Sequence, residues 1–365
     1  MRHALALFAT LLAACGDDGS HAGPTDAAIS DSRPADAPPD APPPPRQLGL
    51  EVNQPTGLDQ GTEIDLVKPY GVGVVQLTFP WNVLEPDGNG FNADAVNLLA
   101  FGMSYYAQHG VKVILSVPVV DTVANLVPSD LANKKLDDAM VITRAQALVT
   151  KVLEQCHAEL AYLVLSNEVD VNLADGSPTW SELNTLMGVM DVKARALRPD
   201  VKTGVSVTAS ALLSHNAIAI AALEAHDVAF VTYYNAGNFG STTNAGVTAD
   251  IASIVGATAK PIVFKEFGYA TGSAAGGSET GQQTFVHDAF AAWDAHAARV
   301  PLLMFSRMFD GNHDACVQEA ADYGLPNDEA FISFLCTLGL RTYADAAKPA
   351  WADFTAAASA RTFVQ

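Results

Sequence analysis

Ala161-Tyr-Leu-Val-Leu-Ser-Asn-Glu-Val-Asp170 and Pro261-Ile-Val-Phe-Lys-Glu-Phe-Gly-Tyr269 are two short apolar runs that each meet a carboxylate at the carboxyl end. Their length and content of branched and aromatic residues fit buried strands rather than helices. Glutamate is disfavoured in strands, and a carboxylate beside an apolar core carries a desolvation cost that a partner must offset. Glu168 and Glu266 are therefore the residues to explain.

Working outward, six further runs of the same kind occur: Leu48 to Val52, Gly73 to Phe79, Val111 to Val120, Val201 to Val207, Val228 to Tyr234 and Pro301 to Phe305. Continuous apolar strands separated by helical patterns predict a parallel sheet covered on its outer face, and eight such units predict a closed (β/α)8 barrel of α/β class. The helical stretches agree. Asn92 is placed to cap a helix over 93–108 with an apolar stripe of Val96, Leu99, Ala100, Met103 and Ala107, and Gly110 can supply the left-handed residue that ends it. Leu183, Met187, Met190 and Ala194 repeat the pattern before Arg198-Pro199-Asp200 stops it.

Ahead of these units the composition changes. Residues 16–46 hold eight prolines and six aspartates with one branched apolar residue, Ile29, so this stretch reads as a disordered spacer. Residues 1–14 combine Arg2 with an apolar run from Ala4 to Ala14, which reads as a targeting segment rather than a fold element. Leu12-Ala13-Ala14-Cys15 resembles the lipobox of bacterial lipoproteins, which implies cleavage before Cys15, its lipidation, and anchoring of the exported chain to the bacterial cell envelope. The parse is a leader over 1–14, a lipidated linker over 15–46 and one barrel domain over 47–365.

The 365 residues are 49% hydrophobic with a net charge of −20, a composition that suits a packed acidic body and excludes a wholly disordered chain. So negative a chain, with no Lys and Arg cluster, is a poor partner for nucleic acid and fits a neutral substrate better. Four cysteines are too few for a disulfide-stapled miniature fold. Cys316 and Cys336 are expected to pair in an oxidising compartment, two buried thiols being the alternative, whereas Cys156 reads as a buried apolar residue.

Among sites, side chains at the carboxyl ends of barrel strands point into the mouth, so Glu168 and Glu266 suit the paired-carboxylate device for cleaving glycosidic bonds. Trp81 and Trp180 either stack on sugars above the mouth or pack beneath its loops. Asp121 either bonds a hydroxyl or serves a turn. The nine histidines show no ligand spacing, and Asp310-x-Asn312-x-Asp314 lacks the Gly and Glu of a calcium loop, so neither metal nor organic cofactor is expected. Gly272 to Ser278 lacks the Lys-Ser/Thr of a phosphate loop and reads as a mobile flap.

Ser166-Asn167-Glu168 and Lys265-Glu266-Phe267-Gly268, with Trp81-Asn-Val-Leu-Glu-Pro86 and Val231-Thr-Tyr-Tyr234, resemble motifs of glycoside hydrolase clan A, the superfamily of retaining β-glycosidases with catalytic residues on strands four and seven. That resemblance implies Glu266 as nucleophile and Glu168 as acid/base. It implies further that Asn167 binds the sugar 2-hydroxyl and that Tyr233 or Tyr234, according to register, supports the nucleophile. It implies a β-linked polysaccharide or oligosaccharide as substrate, with endo-action favoured. Two departures stand out: many clan members carry an Arg on strand two where Gln76 lies here, and a Trp at strand eight where Phe305-Ser-Arg-Met-Phe-Asp310 has none. They leave open a carbohydrate-binding lipoprotein on the same barrel that has lost turnover.

Overall fold

The computed structural model describes residues 45–53, 60–173, 179–235 and 246–364. The leader, Cys15 and all but the last two residues of the proline-rich spacer lie outside them. Eight strands run in chain order: β1 (Gln47–Leu50), β2 (Val72–Thr78), β3 (Lys112–Ser116), β4 (Leu160–Val164), β5 in two pieces (Lys202–Gly204 and Ser206–Thr208), β6 (Ala229–Tyr234), β7 (Ile262–Gly268) and β8 (Leu302–Phe305). All pair in parallel. β1 joins β8, β4 joins the first piece of β5, and β6 joins the second, so the sheet closes on itself as a (β/α)8 barrel.

Strand alternation sorts the side chains into two cores. Val74, Ile114, Tyr162, Phe230, Val263 and Met304 fill the barrel interior. The other faces join the helices in a continuous shell that includes Leu115, Leu163, Val231 and Leu303. Gly49 is required by this packing, because a Cβ there would lie 2.7 Å from the Met304 side chain. Gly268 closes β7 for a similar reason: a Cβ would meet the Ser306 carbonyl at 2.4 Å.

The helix Ala93–Gln108 is capped by Asn92, whose Oδ1 accepts from the Asp94 and Ala95 amides, and Gly110 follows it at φ +65°. Its buried stripe is Ala95, Leu99, Met103 and Tyr106. This face is turned slightly from the expected one. Tyr106 takes the last core position and Ala107 is exposed, because the larger ring removes more apolar surface from water. The helix Thr179–Leu197 buries Leu183, Met187, Met190 and Ala194 as its periodicity predicts.

Two local expectations are corrected. The third run is shorter than its apolar length because Pro118 cannot donate to the sheet. Beyond it, Val120–Asp121 pairs antiparallel with Ala124–Asn125. The glycine-rich segment after β7 is tied down rather than a flap: the Gly272 amide donates to Thr337 Oγ1 at 2.8 Å, and a Cβ on Gly277 would sit 1.8 Å from the Ala270 carbonyl.

After β8 the chain forms helices His313–Asp322 and Glu329–Cys336, linked by a Cys316–Cys336 disulfide with 5.6 Å between Cα atoms. Phe331, Phe334, Leu335 and Leu338 give this segment its own small core. Closing a loop of 20 residues stabilises by about 3 kcal/mol in the chain-entropy account. Cys316→Ser and reductant should therefore each lower the thermal midpoint by several degrees without adding to one another; an unchanged midpoint in calorimetry would remove the stapling role.

Candidate active site

A cavity of about 170 Å³ opens at the carboxyl ends of the strands, lined by groups from every strand or following segment except β5. Gln76 and Thr78 come from β2, Ser116 from β3, Tyr234 from β6, and Lys265 and Glu266 from β7. Glu51, Asp121, Asn167 and Arg307 enter from the segments that follow β1, β3, β4 and β8. Glu319 and Tyr323 complete it from the disulfide-linked segment.

Glu168 does not line this cavity; it lies beyond β4 in a strained backbone conformation, next to the threonines that connect it to the site. Its φ is +44°, a left-handed conformation for a residue with a Cβ, and it directly precedes the short helix Val169–Asn172. Thr232 Oγ1 lies 2.6 Å from Glu168 Oε1, and Thr122 Oγ1 lies 2.8 Å from Oε2. Burial first, and the Glu266 charge second, push the Glu168 carboxyl up to about 7, against the lowering effect of the two threonines and Lys265. Thr232 is also the register partner of Glu266, so the hydroxyl that touches one carboxylate sits on the strand residue beside the other.

Glu266 is held differently. Tyr234 OH donates to Oε2 at 2.7 Å, and Lys265 Nζ donates to Oε1. Burial alone would raise its pKa; the Lys265 charge and hydrogen bond, the Tyr234 hydrogen bond and the Arg307 charge overcome burial and hold it below the usual carboxylate range. Strand alternation alone would point Lys265 away from Glu266. A bulge reverses that expectation: Phe264 pairs with Val231 and Glu266 with Thr232, leaving Lys265 as an extra residue.

The tyrosine ambiguity is a matter of register, and the structure decides it. Tyr234 faces the cavity, with its ring set edge-on to Phe334 at 5.2 Å. Tyr233 is fully buried on the opposite face, where its hydroxyl donates to Asp250 and its ring stacks on Phe267. Tyr233 is thus a packing residue and not a ligand contact.

Neither tryptophan offers a face to a ligand. Trp81 is completely buried and donates through Nε1 to Glu85, which also accepts from Arg144; Arg144 in turn pairs with Asp130. Trp180 lies in the helix Thr179–Leu197 at 3% exposure and donates to the Leu173 carbonyl. Both sites satisfy the indole nitrogen inside the protein, as buried tryptophans require.

Asn167 and Asp121 come together. The Asn167 amide donates to Asp121 Oδ1 at 2.8 Å, and Thr122 donates to the same oxygen through its amide. Asn167 Oδ1 and Gln76 Oε1, on two residues that line the cavity, are buried without a hydrogen-bond partner. The amide nitrogen expected at a sugar 2-hydroxyl is instead occupied by Asp121 in this state.

Sequence reasoning missed Thr122, Thr232, Arg307, Glu51, Glu319 and Tyr323. Lys265 carried a signal, a cation inside an apolar strand. Thr232 carried a weaker one, two residues before Tyr234 on the same face. The strand-two arginine has no counterpart at Gln76; the cationic groups near Glu266 come from Lys265 and Arg307. Among the described residues no group of three His, Cys, Asp or Glu side chains could hold a metal ion, and no helix is long and apolar enough to cross a membrane.

Fold and site together define a (β/α)8 barrel with two differently tuned glutamates at the ends of its fourth and seventh strands. No protein-family model matches the chain, and no curated protein matches it. Solved structures do. A family 5, subfamily 18 glycoside hydrolase from Bifidobacterium longum, solved with Manβ1-4GlcNAc, matches with a TM-score of 0.65 at 14% identity over 86% of this chain and 78% of that one. An exo-β-1,4-mannosidase from an Opitutaceae bacterium gives 0.64 at 16% identity, covering 86% of this chain and 59% of its own. A family 39 glycoside hydrolase from Bacteroides cellulosilyticus gives 0.59 at 15% identity, over 86% and 64%. These families belong to the clan whose motifs the sequence resembles. At such identities the likeness is one of fold.

Proposed function

We propose that the protein is a retaining glycoside hydrolase that cleaves β-linked glycans by double displacement. The observation that carries this reading is geometric: Glu266 lines the cavity on β7, held by Tyr234 and Lys265, while Glu168, beyond β4, is bonded to Thr232, the strand residue paired with Glu266, and these surroundings raise the Glu168 carboxyl and lower that of Glu266. Two titratable groups pushed apart by their surroundings divide acid and nucleophile between them.

The steps follow from the contacts. A Glu266 oxygen attacks the anomeric carbon as the bond to the leaving oxygen breaks, and Glu168 gives its proton to that oxygen. A protonated Glu168 can donate to Thr122, whose own hydroxyl proton is then free for Asp121 Oδ1 at 3.1 Å; Thr232 donates to the remaining Glu168 oxygen. Once Glu266 is an ester its negative charge is gone. Glu168, already deprotonated, stays ionised more readily and takes a proton from the water that attacks the anomeric carbon as the bond to the Glu266 oxygen breaks.

The cavity's size favours a terminal sugar over the endo-action that the family resemblance suggested. About 170 Å³, walled on one side by Tyr323 and Glu319, is small beside the roughly 300–1,000 Å³ of ordinary ligand pockets. A single ring at the non-reducing end of a β-linked chain is the substrate class this supports, and β-mannosides are the first candidates to try from the fold neighbours. Lipidation at Cys15 would hold the enzyme at the cell envelope, a placement carried by the sequence motif alone.

The test is a panel of aryl β-glycosides and β-linked oligosaccharides followed by proton NMR. Release of a monosaccharide whose first-formed anomer is β supports the reading. An α first product, or saturable glycan binding with no turnover across the panel, would replace it with an inverting enzyme or a binding protein.

A further inference from the structure

Lys265 is 1% exposed and sits within an apolar strand. In an unbroken pleat its side chain would lie on the opposite face from Glu266. Pairing on both sides shows the break. Against β6, Phe264 and Glu266 oppose the consecutive residues Val231 and Thr232; against β8, Phe264 and Phe267 oppose Leu303 and Phe305, three steps against two. The extra residue brings the side chains of Lys265 and Glu266 into the same cavity.

Each oxygen of Glu266 then has one donor, Lys265 on Oε1 and Tyr234 on Oε2. The other titratable groups around this cavity are the acids Glu51 after β1, Asp121 after β3 and Glu319 beyond β8, with the Tyr323 phenol beside Glu319, while Glu168 beyond β4 acts on Glu266 through its charge. Arg307 is the second cation, but its guanidinium sits between Glu51, at 3.3 Å, and Glu319, at 3.4 Å. Lys265 is thus the cation in direct contact with Glu266 among the cavity-lining residues described. A buried ammonium without a counter-charge is costly, so the pair favours an ionised Glu266.

We propose that Lys265 is a positioning residue, swung into the cavity by the β7 bulge to fix and ionise Glu266 in the role that clan members give to a strand-two arginine. The proposal rests on Glu266 being the nucleophile. It also gives Lys265 a part in the second half of the reaction. When Glu266 becomes a neutral ester, Glu168 no longer faces that negative charge but still faces the Lys265 ammonium, and both changes favour its conversion from acid to base.

The experiment is carboxyl-carbon NMR of protein labelled at glutamate, with the Glu266 signal assigned by its loss in Glu266→Gln, alongside pH profiles of kcat/KM. In the wild type Glu266 should titrate below the ordinary carboxylate range. Lys265→Met should raise that midpoint by about one unit or more, shift the acidic limb of kcat/KM equally, and lower kcat more than it raises KM. Lys265→Arg should recover most of the shift. A wild-type Glu266 titrating at or above the ordinary range overturns the proposal without any variant, and an unmoved midpoint in Lys265→Met overturns it equally. Mass spectrometry of wild type treated with a 2-fluoroglycoside tests the underlying reading separately. A shifted Glu266 midpoint without any covalent adduct would retain the ion pair but remove the nucleophile.

Discussion

Glu266→Gly is expected to lower kcat on aryl β-glycosides by on the order of 10⁶-fold, the scale seen when a covalent nucleophile is removed. The variant leaves the buried Lys265 ammonium without its counter-charge, so its thermal midpoint should fall, and activity is compared at a temperature where circular dichroism shows it folded. Azide gives the decisive measurement. It can enter the space left by the carboxylate and attack the anomeric carbon of an activated β-glycoside, giving a glycosyl azide of α configuration. Recovery of turnover with an α product confirms that a nucleophile belongs at this position. Residual activity within tenfold of wild type, or a β azide, would remove Glu266 from that role.

The second large effect concerns Glu168. Glu168→Gln should cost about 10²–10⁴-fold on substrates with poor leaving groups and far less in the first step on dinitrophenyl glycosides, which need no proton. Equal losses on both would argue against proton donation. The pH dependence has a definite sign. Glu168 must carry a proton, so kcat/KM falls as pH rises through its value of about 7. Glu266 must be ionised, so kcat/KM falls again as pH drops through a midpoint below the normal glutamate range. The profile is a bell whose alkaline limb lies near neutrality and disappears in Glu168→Gln. Because the two carboxyls interact, its midpoints belong to the pair.

Much of the architecture is legible in the chain because strands buried on both faces must be apolar along their length. The runs around Leu163, Phe264 and Leu303 are accordingly easy to see. The helix stripes at Leu99 and Leu183 are equally plain from their spacing. Glu168 and Glu266 stand out for the complementary reason, as charges where a strand meets its end. Trp81 and Trp180 were ambiguous because an indole serves a sugar platform and a buried core equally well, and Glu85 and Leu173 are the partners that decide between them. Thr122, Arg307 and Tyr323 were invisible, since each reaches the cavity from a loop whose path depends on distant contacts.

The order of residues by itself determined the barrel and the two glutamates, through apolar periodicity and the cost of burying charge. Tertiary structure decided which tyrosine serves Glu266, that Lys265 turns inward, and that Gln76 and Asn167 are left with free acceptors. The physical reason is register. A strand shows each neighbour to opposite faces, so one inserted residue exchanges inside for outside, and only pairing with β6 and β8 records where that insertion falls.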